Sequence, residues 1–265
     1  SCSRPPSTEC SPRTDMDSIH SRRHEAADRR NSPPARQYSL YPLRGSGHEN
    51  DTEAGPSDIV KDSSPLTEAN EIYRKLEERA IAESNDLNHR VAHCRKCKRG
   101  EVLPTVGSGH PLADIFLLKH APRYLEVTEG VAFFGRSGTA VLKSMERLGV
   151  NPLVIYGTNL VKCHDVDIDE GHKHCPPYWL EEFQITQPRL VVVMGQLTLE
   201  EVNRERIEGM KELVWDPGAL QEFTPFCKAL ITPDIDESLD DEVAKAEFWR
   251  AFRNLGDWFR DEPPY

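Results

Sequence analysis

Cysteines carry the plainest chemistry in this chain. Cys94 and Cys97 form a Cys-x2-Cys pair in "AHCRKCKRG", and Cys163 and Cys175 form a Cys-x11-Cys pair in "VKCHDVDIDEGHKHC". One pair supplies half of a tetrahedral site, so a metal requires both segments to converge. Four thiolates drawn from two distant segments suit either a tetrahedral zinc or a 4Fe-4S cluster. His93, His164, His172 and His174 crowd the same cysteines and could replace a thiolate around zinc. Four buried, unligated thiols are the plain alternative. Of the remaining cysteines, Cys2 and Cys10 lie where no core-forming pattern exists, and Cys227 falls on an expected strand and should pack in the core. Seven cysteines spread over 265 residues do not resemble the disulfide framework of a small secreted domain.

The elements that must position these thiols can be read from the apolar periods. Helical spacing starts near Thr67, a plausible N-cap, in "EANEIYRKLEERAIAES", with Ile72, Leu76 and Ala80 on one face and Glu71 four residues before Lys75. A second short helix from Asn85 would turn Leu87 and Val91 inward and deliver the chain to Cys94. Downstream, "DIFLL", "PLVIYGTNLV", "RLVVVMG" and "FCKALIT" read as strands, between the helical runs "TAVLKSMERLG", "YWLEEFQIT" and "LTLEEVN". A last helix, "EVAKAEFWRAFRNLGDWF", carries Phe248, Phe252, Leu255 and Phe259 at helical spacing. Short apolar runs alternating with helices imply an α/β fold with a central, mostly parallel sheet and helices on both faces. Ligands of such folds sit at the carboxyl ends of the strands.

Composition adds limits. An apolar content of 37% is low for a fully globular chain of this length. Residues 1–48 hold eight Arg, five acids and no Lys, without a sustained apolar period, and an acidic stretch follows. Residues 1–64 are therefore expected to be a disordered tail and linker, and 65–265 the α/β domain. No run of about 18 apolar residues and no secretory leader is visible, which makes a cytoplasmic protein without a membrane span the expectation. The net charge of −11 argues against a protein that simply coats nucleic acid.

Taken together, "CRKC" (94–97), "KHAPR" (119–123), "GVAFFGRSG" (130–138), "TNLVKC" (158–163), Cys175, "PRLVVVMG" (188–195) and "TPD" (232–234) have a recognisable order and spacing. Over roughly residues 87–259 they resemble the family 4 uracil-DNA glycosylases, iron-sulfur members of the uracil-DNA glycosylase superfamily. The resemblance implies that fold, a 4Fe-4S cluster on Cys94, Cys97, Cys163 and Cys175 with zinc as the alternative, and excision of uracil or another damaged base from DNA. It also implies that Phe133 stacks on a flipped base and that Asn159 reads the base edge, an amide offering donor and acceptor together.

The same resemblance exposes two replaced catalytic positions. Where the family motif "GEAPG" has its carboxylate this chain has His120, and where the "HPS" loop has its histidine it has Thr232. The flanking glycines of the first motif are Lys119 and Arg123. Glu126, six residues past His120, is the available substitute carboxylate, and His120 could itself stabilise charge. Weakened catalysis is the expectation, with a non-catalytic binding module of the same fold as the other reading. DNA, single-stranded or uracil-containing, is the expected partner of a monomer. Residues 89–99 carry five Lys or Arg and no acid, favouring a phosphate backbone, whereas residues 233–242 carry six acids that would repel one.

Overall fold

A computed structural model describes residues 65–98, 102–205 and 207–261. The expected tail and linker, with Cys2 and Cys10, lies outside the described residues. Helix α1 (Pro65–Ala92) runs unbroken where two helices were expected. Its sequence holds no Gly or inner Pro to stop it, and pairs four residues apart, Lys75–Glu71 at 2.9 Å, Arg79–Glu83 at 2.7 Å and Arg90–Asp86 at 2.9 Å, knit its length. Because the helix starts at Pro65, a residue suited to the first helical position, Thr67 falls inside the first turn and not before it.

Only the second half of α1 has a core beneath it. Leu87 and Val91 are buried with Tyr178, as the sequence suggested, but Ile72 and Leu76 are more than half exposed. Tyr178 belongs to α5 (Pro176–Thr186), which Arg90 also reaches through Glu181 at 3.0 Å.

Among the described residues six strands form one sheet, in the order β1-β3-β2-β4-β6-β5. The inner four are parallel: β2 (Ile115–Lys119), β3 (Ile155–Asn159), β4 (Leu190–Met194) and β6 (Cys227–Thr232). Short antiparallel strands β1 (Ser108–Gly109) and β5 (Leu220–Thr224) form the edges. Runs such as IFLL and LVVVM are apolar at successive positions because both faces are covered. Phe116, Leu118, Val191 and Val193 face one layer with Trp179 of α5. Ile115, Leu117, Leu190 and Val192 face the other, with Met145 of α3 (Arg136–Leu148) and Phe248, Phe252 and Leu255 of α8 (Glu242–Asp261). The expected α/β architecture is thus the observed one. No described helix is long and apolar enough to cross a membrane.

Short elements that carried no sequence period complete the carboxyl ends of the strands. They are α2 (Tyr124–Glu129), α4 (Ile168–His174) and α7 (Ile235–Ser238); α6 (Gln196–Arg204) follows β4 as expected. Register aligns Asn159, Lys119, Met194 and Thr232 as one row across β3, β2, β4 and β6. Residues paired across parallel strands point to one face, so all four side chains lie on the α3/α8 side.

The uneven burial along α1 yields a stability prediction. Leu87→Ala should cost about 2–5 kcal/mol, as other truncations of buried leucines do, whereas Leu76→Ala should stay within about 0.5 kcal/mol. Urea unfolding of both variants is the check, and equal losses would mean that the first half of α1 is covered in solution.

Candidate active site

The row of four residues ends at the rim of a cleft of about 340 Å³, lined by His120, Arg123, His164, residues 195–198, Asp234, Asp236 and Glu237. It occupies the carboxyl ends of β2, β4 and β6, where an open α/β sheet offers its ligand site.

Glu126 does not face this cleft. Its side chain is fully buried, receives the amide of Arg123 at 2.7 Å and the amide of Phe133, and pairs with Lys119 Nζ at 2.5 Å. Its two oxygens thus already accept from three donors, which leaves this substitute carboxylate no open access to a sugar. Lys119, which stands at a flanking-glycine position of the first motif, is likewise buried, with Asp236 at 2.7 Å as its second carboxylate. Arg123 Nε reaches the same Asp236 oxygen at 3.4 Å. Two cations and two carboxylates therefore balance at the end of β2.

Phe133 stands where this arrangement places it. Its backbone is left-handed, φ 59°, an uncommon state for a residue with a side chain, and the Glu126 carboxylate holds its amide there. Two glycines make room for it. A Cβ on Gly138 would lie 1.8 Å from the Phe133 carbonyl oxygen, and one on Gly157 of β3 would lie 2.7 Å from the Phe133 ring. The ring thus rests against β3 two residues before Asn159, on the face that Asn159 shares. Lys119 Nζ stands 5.4 Å over the ring centroid.

Asn159 is fully buried; its Nδ2 donates to Thr105 Oγ1 at 3.0 Å while its Oδ1 has no hydrogen-bond partner. Thr232 is also fully buried, with its Oγ1 unpartnered. A buried acceptor and a buried hydroxyl left open at one end of a sheet are costly and need a reason.

His120 lines the cleft as half of a histidine pair. Its Nε2 lies 2.8 Å from His172 Nε2, and His172 Nδ1 lies 3.0 Å from Glu201 Oε1. With Glu201 accepting from His172 Nδ1–H, His172 Nε2 accepts from His120 Nε2–H, which leaves Nδ1 as the acceptor nitrogen of His120. Burial, and then the neighbouring His172, push the His120 pKa down to about 4. It is a neutral imidazole at neutral pH.

The cysteines come from three loops. Cys94 and Cys97 follow α1, Cys163 follows β3 and is buried, and Cys175 joins α4 to α5. The Lys162 amide points at Cys175 Sγ over 3.5 Å. Burial pushes the Cys97 and Cys175 thiols up, and the nearness of Cys94 adds to both. Tyr178 hydrogen-bonds Cys94 and also senses Cys175. Among the described residues no three His, Cys, Asp or Glu side chains are arranged as a metal cage. His93 turns back to the His89 carbonyl at 2.8 Å, His164 to that of Pro122 at 3.1 Å, and His172 to His120. Cys227 is in the core as expected, its thiol pushed up to about 12 by burial.

Residues 106–235 match the Uracil DNA glycosylase superfamily. The uracil DNA glycosylase-like stretch begins at Val106, bridged to Val131 just ahead of Phe133, and ends at Ile235 beside Asp236. The chain is similar to the type-4 uracil-DNA glycosylase of Sulfurisphaera tokodaii, 32% identical over 120 residues, which are 42% of this chain and 53% of that protein. The type-4 uracil-DNA glycosylase of Saccharolobus solfataricus is 31% identical over 116 residues, 40% of this chain and 52% of that protein. That of Archaeoglobus fulgidus is 24% identical over 123 residues, 44% and 61% respectively. The chain thus spans between half and two thirds of the length of these relatives.

Sequence reasoning missed Asp236, Thr105 and the His172–Glu201 pair. Asp236 is one acid in an acidic run, and nothing local separates the buried one from the rest. Lys119 did leave a signal, a lysine closing the apolar run IFLL, whose stem must lie in the sheet.

The His120 geometry predicts a pH effect of definite sign. With a folded pKa near 4 against about 6.5 unfolded, neutral His120 favours the fold fully above pH 6.5, and this contribution is lost as pH falls from there towards 4. Imidazole NMR should find His120 unprotonated at pH 5.5, and His120→Gln should flatten the stability slope in that window. A midpoint near 6.5 for His120 would contradict its burial against His172.

Proposed function

We propose that this chain is a uracil-DNA glycosylase-like protein that hydrolyses the N-glycosidic bond of uracil or another damaged base in DNA, slowly, and that it carries a 4Fe-4S cluster. One observation carries the reading: Phe133 and Asn159, an aromatic ring and a side-chain amide, are held on one face of β3 at the carboxyl end of the sheet. Gly157 leaves room there for the ring, and Gly138 for the Phe133 carbonyl. The type-4 uracil-DNA glycosylases similar to this chain support the same class of substrate.

In this reading a flipped base stacks on Phe133, and Asn159, whose Oδ1 has no partner in the folded protein, gains one from the base edge. His120 lines the cleft and holds the attacking water through Nδ1, the acceptor left when His172 and Glu201 fix its other nitrogen. A base with a pKa near 4 removes a proton poorly, and Thr232 offers no donor of a histidine's reach to the departing anion. Slow chemistry follows from both. Asp236, at the cleft wall, keeps a carboxylate near the sugar site, although Lys119 and Arg123 already draw on its charge.

Cys94, Cys97, Cys163 and Cys175 are the residues that would hold the cluster. The chemistry of the donor set supports it: four thiols, with the Lys162 amide, next to Cys163, pointing at Cys175 Sγ over 3.5 Å. Zinc is the alternative, weakened because three of the four nearby histidines turn elsewhere. A cluster there would tie α1 to β3 and α5. The partner proposed is DNA, single-stranded or uracil-containing, bound by a monomer in the cytoplasm.

Purified anaerobically, the protein should be brown and contain iron and sulfide, and Cys163→Ser should bleach it; a colourless protein with stoichiometric zinc would overturn the cluster. Excision is tested on a uracil-containing single-stranded oligonucleotide under single-turnover conditions. Wild type should be slow, and Thr232→His with His120→Glu should raise the rate at least about tenfold, since one lost donor to developing charge typically costs about 10²- to 10³-fold. Brisk wild-type excision unaffected by Thr232→Ala and His120→Ala would place the chemistry on other residues.

A further inference from the structure

We infer that Lys119, held by Glu126 and Asp236, is an ionic lock that fills the base-binding space, so that a flipped base engages only by displacing its ammonium. The inference rests on the reading of Phe133 and Asn159 as the base pocket and adds what controls access to it.

The geometry is specific. A base stacked on Phe133 would put its ring about 4.5–7 Å from the Phe133 centroid. Lys119 Nζ stands 5.4 Å over that centroid, inside the slab that the base would occupy. Lys119 is also the sheet neighbour of Asn159, register partner to partner on one face, so its stem runs beside the amide that would read the base. Asn159 and Lys119 are both fully buried, hence the amide is sealed from the cleft while its Oδ1 stays unpartnered. An acceptor sealed behind a lysine and left without a hydrogen bond is in the condition expected of a reading group whose ligand is excluded.

The tethers explain why the lysine stays. Glu126 Oε2 at 2.5 Å and Asp236 Oδ2 at 2.7 Å bind the ammonium from two different elements, and Arg123 balances the second carboxylate at 3.4 Å. Asp236 lines the cleft, so the lock has one tether on the ligand side. Glycine, the residue of the related motif at this position, would leave the space empty.

The test is fluorescence anisotropy of the full chain with a uracil-containing single-stranded oligonucleotide and its thymine counterpart. Lys119→Gly should tighten binding of the uracil strand at least tenfold over the thymine strand, and Asn159→Ala in that background should erase the gain. Lys119→Met, which keeps the bulk but loses both tethers, should give a smaller gain than the glycine variant. The direction is diagnostic, because a lysine that merely contacted phosphate would weaken binding of both strands when lost. Should the glycine variant fail to fold, as judged by circular dichroism, Lys119→Gly with Asp236→Asn removes one stranded carboxylate and is expected to show the same gain. Uracil preference in wild type that depends on Asn159 and does not rise in the glycine variants would overturn the lock and leave the pocket reading standing. No preference in any variant would overturn both.

Discussion

A lysine ammonium without water must bring its counter-charges with it, and much of the ligand end of this sheet is arranged around Lys119 for that reason. The effective penalty for burying an ion is several kcal/mol, recovered only by close, well-directed partners. Glu126 comes from α2 and Asp236 from α7, so one ammonium gathers the elements after β2 and after β6. Glu126 spends its remaining capacity on the amides of Arg123 and Phe133. The left-handed Phe133 is thus fixed through the same carboxylate that neutralises Lys119. Removing Glu126 would take one of its two carboxylates from the buried ammonium, typically at a cost of about 3–5 kcal/mol, and would loosen the aromatic ring along with it.

The layered fold was legible because burial on both faces writes continuous apolar runs such as VVVM, and amphipathic helices write a period of 3.6. Elements without a core of their own wrote neither. Strand β1 has two residues and α7 four, too few for a period, and β5 alternates only weakly as LQEFT. The break expected near Asn85 of α1 failed because capping residues also occur inside helices, where ion pairs four residues apart outweigh their modest propensity cost. Phe133 and Asn159 were singled out by the resemblance to the family 4 motifs; the network beneath them was not. Sequence distance explains why: Lys119 and Asp236 lie 117 residues apart, and only the sheet order makes them neighbours.

The same folding changes how charge is to be counted. Residues 233–242 look like an acidic barrier to any polyanion, yet Asp236 is neutralised by Lys119 and Arg123, Asp240 is paired with Arg136 at 2.8 Å, and Asp234 caps α7 by accepting from the Asp236 and Glu237 amides. Burial, and then Asp236, hold the Asp234 carboxyl above its ordinary pKa. Half the acids of the run are thereby committed within the protein. Arg123 and Arg136 keep most of their own side-chain surface in solvent while doing so. The rim that would meet a phosphate backbone is less negative than its sequence.

Two replaced positions of the first motif, Lys119 and His120, arrive with new partners, and this bears on what kind of change they represent. A catalytic carboxylate lost by drift leaves an ordinary solvated loop, with no requirement on distant elements. His120 instead has His172 from α4 behind it and Glu201 from α6 behind that, which fixes its tautomer and keeps it neutral. Lys119 has carboxylates from two elements. Buried polar groups persist only where partners satisfy them, so each substitution is stable only as a set. Of the five buried, unpartnered side-chain atoms among the described residues, two, Asn159 Oδ1 and Thr232 Oγ1, stand in the same row as Lys119. Compensation is therefore complete around the new charges and absent at two groups of that row, a division that a site organised around an excluded ligand would produce.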